Sequence, residues 1–470
     1  MIAAAILDRL RAIVGAGGWS TDAAELAPYL VEGRGLYQGR TPLLLKPATT
    51  AEVAALVAIC AETGTPIVPQ GGNTGLVGGG VPFESGNEVL LSLSRMNKVR
   101  GVDPLNNAIT VEAGCTLAAV QGAAGQADRL FPLRIASEGS CQIGGNLSTN
   151  AGGNAVLRYG MMRELVLGLE VVLPDGRVID GLRALRKDNT GYDLKQWFIG
   201  AEGTLGIITA ATLKLFSRPR DRQTAFVAVP DVAAAVSLLG VAQAVSGGQV
   251  EAFELVARTG LEFVLRYTPG ASDPLAVKHD WYALIEIAGG DAPDALRPVM
   301  ERLVEAALVD GLALDGVIAG SAAQAQALWR LRESMSDAQK PEGGSIKHDI
   351  SVPRSSMATF ITRATAEVLA RMPDARPVVF GHIGDGNVHF NISQPLGGDK
   401  AVFLGRWHEI SELVHGVAHE LHGSISAEHG IGRLKRDELP LYKSAVELDL
   451  MRGLKQMLDP GNIMNPGKLL

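Results

Sequence analysis

Three glycine-rich loops break up the first 217 residues: PQGGNTGLVGGGVP at 69–82, SEGSCQIGGNLSTNAGGNAVLRYG at 137–160 and FIGAEGTLGIIT at 198–209. Glycine adopts φ > 0 without steric cost and lets backbone N–H groups converge on an anion, so such loops suit a phosphate-bearing ligand. They also exclude two common ways of holding one. A nicotinamide-type site needs GxGxxG between a strand and a helix, with an acidic residue about 20 positions later. Here Gly72, Gly75 and Gly78 have the wrong spacing, Pro82 blocks a helix, and no P-loop lysine follows. By spacing alone the first loop is as readily a structural turn as a phosphate cradle.

Between the loops run short β-rich segments, among them PIVPQ (66–70), EVLLSL (88–93), AITVEAG (108–114), ELVLGLEVVL (164–173) and GIITAATLKLF (206–216). This texture predicts an α+β domain over 1–217 built around a ligand. Residues 218–423 instead alternate strands with helices: TAFVAV, DVAAAVSLLGVAQAV, QVEAFELV, WYALIEIAG and DAPDALRPVMERLVEAALV. That rhythm is ferredoxin-like and predicts one antiparallel sheet. A last segment, 424–470, begins SISAEHGIG and ends DPGNIMNPGKLL. A chain of 470 residues has room for two or three such domains.

A net charge of −7 without a long basic run argues against nucleic acid or an anionic membrane as the main partner. Cys60, Cys115 and Cys141 are too few and too scattered for a disulfide framework, so a reducing, cytoplasmic compartment is expected. Asp8, Arg9 and Arg11 interrupt the N-terminal apolar stretch, unlike a signal peptide. The longest uncharged run, Val232 to Val250, holds Ser237, Gln243, Ser246 and a Gly-Gly pair, and reads as a domain helix rather than a membrane span.

Eight of nine histidines fall between His348 and His429. Two sets compete as metal ligands. On a predicted helix over 399–421, His408, His415, His419 and His422 share a face with Glu412. That helix is amphipathic, with Ile410, Leu413, Val414 and Val417 on its buried side, so a partly exposed polar stripe is the expected role. The other set lies in GHIGDGNVHFNI (381–392). If Asp385-Gly386 is a two-residue hairpin turn, residue 384 pairs with 387 and His382 stands directly opposite His389, with Asn391 on the same face. With Glu428 of SAEHG they make a His₂Glu set of the kind that leaves positions open on Zn²⁺. Residue types alone allow a buried hydrogen-bonded cluster equally well.

Taken together and in order, PQGGNTG at 69, IGGNLSTNAGG at 143, GAEGTLGIIT at 200, GHIGDGNVHFN at 381, SAEHGIG at 426 and DPGNIMNPGK at 459 resemble the vanillyl-alcohol oxidase superfamily over essentially the whole chain. Within it, the chain looks most like the D-lactate and D-2-hydroxyglutarate dehydrogenase branch of FAD-linked enzymes. The resemblance implies an α+β fold: a two-subdomain FAD-binding domain over 1–217, an antiparallel-sheet substrate domain over 218–423, and a segment, 424–470, that completes the active site and packs on the FAD domain. It also implies that Pro69, Gly71, Gly72, Asn73, Thr74 and Gly75 hold the FAD pyrophosphate. Ser137, Gly139, Ser140, Gly144, Gly145, Asn146 and Thr149 would line the flavin, and Glu202, Gly203 and Ile208 would close the adenine and ribose side. No histidine precedes His279, which rules out a histidyl link in this region, and Cys141 is expected to pack, so FAD is expected to be non-covalent.

By the same resemblance His382, His389 and Glu428 match metal ligands, and the ion is taken as zinc, although manganese or iron suit the set too. Oxidising a 2-hydroxy acid requires a base for the hydroxyl proton, and His429, next to Glu428, is the expected catalytic base; its other role would be to orient a ligand. Arg332 and Ser336 are four apart on one helical face. Lys347 shares a strand face with Asp349, so a plain salt bridge would account for it from the residues alone. The resemblance instead makes Arg332, Ser336 and Lys347 the substrate-binding residues, with Ser336 standing where the branch has threonine. D-lactate dehydrogenases of the branch usually lack this lysine, which points to a dicarboxylic substrate. Asn391 would donate to the substrate or hold His389.

The expectation is therefore an FAD-dependent D-2-hydroxyacid dehydrogenase acting on D-2-hydroxyglutarate, with an electron-transferring flavoprotein as acceptor and a homodimeric assembly. D-lactate, D-malate and glycolate are competing substrates. A metal-dependent hydrolase with a nucleotide-binding glycine loop is the competing class.

Overall fold

The structure is a computed structural model that describes residues 2–290 and 292–470. It divides into two compact units, one of Met1–Gly153, Gly160–Arg218 and Glu428–Leu470, the other of Asn154–Tyr159 and Pro219–Ala427.

The first unit holds two sheets. In one, the strands Trp19–Ser20, Leu44–Leu45, Val89–Ser92 and Ile67–Gln70 lie side by side in that order, parallel except for the first pair. The helix Thr50–Thr63 packs Val53, Leu56, Val57 and Cys60 into the core behind this sheet. Thr49 starts that helix by accepting from the Glu52 N–H, and Gly64 ends it in the left-handed region at φ 64°. The other sheet is antiparallel, ordered Val99–Asp103, Ala108–Glu112, Ile207–Lys214, Val166–Val172, Val178–Gly181. The end of the chain rejoins this unit: Ile67 N–H donates to Ile463 O at 2.8 Å, and Asn465 N–H donates to Ile67 O at 2.8 Å.

The second unit is built on one seven-stranded sheet, ordered Asp315–Ile318, Asp221–Val229, Trp281–Gly289, Val250–Ala257, Arg376–His382, Asn387–Ser393, Ser345–Ser351, with every pairing antiparallel. Both faces are covered, so its central strands are buried at every position, as in VEAFELVA at 250–257. One face packs against the helices Val232–Val245, Arg297–Val309, Met357–Arg371 and Trp407–Glu420. The other packs against Arg258–Tyr267, Ala322–Glu333 and Met335–Ala338. The uncharged run from Val232 forms the 14-residue helix Val232–Val245, and no helix among the described residues is long and apolar enough to cross a membrane.

The hairpin expected around Asp385-Gly386 exists, but its register differs. His382 pairs with Asn387, Gly381 with Val388, and Phe380 with His389, so the loop is the four residues 383–386. Gly386 N–H closes it on His382 O at 3.1 Å, and Ile383 N–H is drawn away to Phe253 O at 3.0 Å on the neighbouring strand. The shift from the expected register is two residues, and a two-residue shift leaves every side chain on its original face. His382 and His389 are therefore diagonal rather than opposite neighbours. The helix expected over 399–421 is likewise two helices, Lys400–Gly405 and Trp407–Glu420, separated at Arg406.

Candidate functional site

Alternation along the strands gathers polar residues on one face of the seven-stranded sheet. Across the ladder, Glu254 pairs with His382, Phe380 with His389, Val378 with Asn391, His389 with Asp349, and Asn391 with Lys347. All of these project to the side that carries the helices Arg258–Tyr267 and Ala322–Glu333.

His382 and His389 stand with ring centroids 5.6 Å apart at an interplanar angle of 76°, and each offers a ring nitrogen within 4.8 Å of the other's. His382 is buried, and its Nδ1 lies 2.6 Å from Glu254 Oε1. A carboxylate only accepts, so Nδ1 is a ring nitrogen that carries a proton. Glu254 Oε2 accepts from Arg332 Nε at 2.8 Å, and the Arg332 guanidinium lies over the Phe380 ring, 4.7 Å from its centroid. Burial works to raise the Glu254 carboxyl, but the charges and hydrogen bonds of His382 and Arg332 outweigh it and hold the group below the usual carboxylate range. Asp349, also buried, accepts from Asn387 Nδ2 at 2.9 Å and lies 3.9 Å from His389 Nδ1.

Arg332 lies in the last turn of the helix Ala322–Glu333, and Ser336 sits in the short helix Met335–Ala338 that follows, with Ser334 at the junction of the two. Lys347 Nζ lies 3.5 Å from the Ser336 carbonyl oxygen, so the strand and the helical turn bring Ser336, Lys347 and Asn391 together. Ala427 is tied to the same sheet, its N–H donating to Asp349 O at 3.2 Å. Glu428 and His429 are the next two residues of the chain.

Among the described residues, no three of His408, His415, His419 and His422 bring ligand atoms within 4.8 Å of one another. His415 is buried edge-on against His348, with centroids 5.5 Å apart, whereas His408, His419 and His422 are exposed. His348 itself is occupied by the Phe390 carbonyl at 2.8 Å and Ser411 Oγ at 3.2 Å.

In the first unit the three glycine loops converge. A Cβ on Gly72 would fall 2.0 Å from Ser140 O, and one on Gly203 would fall 2.5 Å from Pro69 Cγ, so the first loop is pressed against both the others. Gly144 is tight against Ala113 in the same way, while a Cβ on Gly75, Gly139 or Gly145 would meet no atom within 4 Å. The acceptors Gln70 Oε1 and Gln142 Oε1 are buried here without a hydrogen-bond partner. Close-set backbone with open positions and unsatisfied acceptors fits a large polar cofactor such as FAD.

Several residues assigned to that cofactor are engaged within the chain. Asn73 Nδ2 donates to Pro28 O at 2.9 Å and Val31 O at 2.8 Å, which leaves its backbone N–H to offer a ligand. Thr149 Oγ1 donates to Gly145 O at 3.0 Å, and Asn146 Nδ2 donates to Cys141 Sγ at 3.6 Å. The Ser137 carbonyl accepts the N–H groups of Ser140 at 2.9 Å and Cys141 at 2.8 Å, and Ile208 is a core residue of the strand Ile207–Lys214. Glu202 is buried, and its two carboxylate oxygens accept from Ile431 N–H at 2.7 Å and Gly432 N–H at 2.8 Å. Burial pushes its carboxyl above the usual range, partly offset by those two donors. All three cysteines are free and buried, and burial pushes the Cys60 thiol up to about 12 and Cys115 to about 11.

Two family models match the chain, "FAD binding domain" over residues 41–181 and "FAD linked oxidases, C-terminal domain" over 218–469. A probable mitochondrial D-2-hydroxyglutarate dehydrogenase of Oryza sativa subsp. indica is 39% identical over 98% of this chain and 80% of its own length. A D-2-hydroxyglutarate dehydrogenase of Xanthomonas citri pv. viticola is 39% identical over 96% and 93%. A putative mitochondrial D-lactate dehydrogenase of Schizosaccharomyces pombe is 36% identical over 96% and 85%. Among solved structures, p-cresol methylhydroxylase with substrate bound aligns at TM-score 0.76 and 17% identity, covering 99% of this chain and 96% of that one. Alkyldihydroxyacetonephosphate synthase aligns at TM-score 0.75 and 18% identity, covering 99% and 86%. Both share the α+β flavoenzyme fold expected above. Several relatives carry "mitochondrial" in their names, so the cytoplasmic compartment expected from the cysteines has no support from them.

Proposed function

Because the chain belongs to the FAD-linked oxidase family and is an FAD-dependent oxidoreductase, we propose that it oxidises D-2-hydroxyglutarate to 2-oxoglutarate. The observation that carries this reading is a pair of cations at the site face. Arg332 spends Nε on Glu254, and its two terminal nitrogens make no hydrogen bond among the described residues. Lys347 supplies the second positive charge beside Ser336 and Asn391. A 2-hydroxy dicarboxylate uses both cations, whereas D-lactate has no distal carboxylate for the second. The names of the relatives that are 39% identical support the same substrate.

When bound, a divalent cation, taken as zinc, supplies the charge that makes a ligating hydroxyl a stronger acid, and FAD supplies the acceptor for the Cα hydrogen and its electron pair. His382 and His389 offer imidazole nitrogens within reach of each other, and this donor chemistry fits such an ion. Glu428 is the third ligand in this reading; the Ala427 bond to Asp349 anchors the chain one residue before it. His429 follows and takes the hydroxyl proton as general base. Arg332, Ser336 and Lys347 fix the substrate by its carboxylates, and Asn391 donates to it or steadies its cross-strand neighbours. The unit containing the glycine loops binds FAD, the unit of 219–427 binds substrate, and an electron-transferring flavoprotein takes the electrons on.

The test is a panel of D-2-hydroxy acids with an artificial electron acceptor. D-2-hydroxyglutarate should give the highest kcat/KM. D-lactate, D-malate or glycolate matching it would remove the dicarboxylate assignment.

A further inference from the structure

Glu254 is fully buried in the middle of the seven-stranded sheet, 128 residues along the chain from His382 and 78 from Arg332. Its two carboxylate oxygens are divided between them, Oε1 for the ring of His382 at 2.6 Å and Oε2 for the guanidinium of Arg332 at 2.8 Å. The backbone fixes the first contact, because Glu254 and His382 are cross-strand partners in the ladder. Phe380, two residues from His382 on the same face, supports Arg332 from below. An ionised carboxylate in such a place needs its partners, and it holds both through charge-assisted bonds that fix direction as well as distance.

We propose that Glu254 is a positioning residue that locks His382 and Arg332 into one rigid piece, so that metal affinity and substrate-carboxylate binding depend on the same buried side chain. The proposal rests on the reading of His382 as a metal ligand and Arg332 as a carboxylate anchor. A carboxylate on Nδ1 fixes the tautomer and ring orientation that present Nε2 to a metal. The same carboxylate, by holding Arg332 through Nε, turns the two terminal nitrogens outward as a fork for a planar carboxylate. Neither function can be retuned alone.

The experiment uses full-length FAD-loaded protein, stripped of metal by a chelator and titrated with zinc in competition with a colorimetric chelator. Glu254→Gln has one acceptor oxygen where two are needed, and its amide N–H₂ would face an N–H donor. It should bind zinc about 10- to 100-fold more weakly, raise the KM for D-2-hydroxyglutarate, and keep its flavin absorbance; Glu254→Asp should recover part of both. A Glu254→Gln protein that retains FAD, binds zinc as the wild type does and shows an unchanged KM would overturn the proposal. Wild-type protein that binds no zinc would overturn the metal reading, and with it this inference, whereas normal wild-type binding with an indifferent variant overturns the role of Glu254 alone. Should Glu254→Gln fail to retain FAD, ¹⁵N-histidine NMR of the metal-stripped wild type decides, with the His382 signal assigned by its loss in His382→Asn. A ring protonated on Nδ1 supports the proposal, and one protonated on Nε2 overturns it.

Discussion

Lys347 reaches to within 3.5 Å of the Ser336 carbonyl, and Asn391 is its partner across the ladder. The lysine is thus held at the sheet edge beside the helical turn that follows Arg332, the position proposed above for a distal carboxylate. Lys347→Met should lower kcat/KM for D-2-hydroxyglutarate about 10- to 100-fold, the worth of one charged hydrogen bond, through KM rather than kcat. Activity on D-lactate should hardly change. Equal losses on both substrates would leave Lys347 with a structural role only.

Metal removal gives a second prediction. Treatment with a strong chelator should abolish turnover while the flavin spectrum stays intact, because the FAD loops lie in a different part of the chain from His382 and His389. Added zinc should restore the rate. Full activity in protein shown by elemental analysis to lack metal would rule out a metal in the reaction.

Gly72→Ala tests the meeting of the glycine loops. Its Cβ would fall 2.0 Å from a backbone oxygen, Ser140 O, which no flexible side chain can relieve. The two loops must separate, and the purified variant is expected to lose most of its FAD, read as the ratio of flavin to protein absorbance. A variant with full flavin content would show that the loops tolerate separation.

Glu342 predicts an acid limit to stability. Its buried carboxylate accepts from Arg266 at 2.7 Å and from the Tyr267 hydroxyl at 2.9 Å, and it is paired with Arg376. Burial works to raise its carboxyl, but these partners hold it below the usual carboxylate range. A depressed folded-state pKa contributes stability that is present above the unfolded value and lost as pH falls through the folded one. Glu342→Gln should cost about 2–4 kcal/mol near neutrality, at the low end for a buried pair because Arg266 is more than half exposed. The cost should shrink in acid. A urea-midpoint difference that stays constant from neutral to acid pH would contradict this.

The hairpin 381–392 shows what local pattern can and cannot decide. Alternation placed His382, His389 and Asn391 on one face, and that survives, because face depends only on parity. The register did not follow from Asp385-Gly386, because a third strand competes for the turn: Ile383 N–H goes to Phe253 O rather than across the hairpin. Glu254 is the other instructive case. QVEAFELV reads correctly as a strand, yet nothing local says that its middle glutamate will meet a histidine 128 residues later. Two glutamates, Glu251 and Glu254, in an otherwise apolar strand buried on both faces were the available signal. Asn73 differs again, since its amide is taken by the carbonyls of Pro28 and Val31, partners set by a distant helix and the loop after it, which leaves its backbone N–H for a ligand.

The peptide chain crosses between the two units four times, at 153/154, 159/160, 218/219 and 427/428. The unit with the glycine loops therefore cannot be finished from its own first 218 residues. Glu202 still awaits the N–H groups of Ile431 and Gly432, and Ile67 awaits the strand at Ile463 and Asn465. On a ribosome the donors and acceptors of these bonds are made before their partners, so these contacts close only after residues 219–427 have been made.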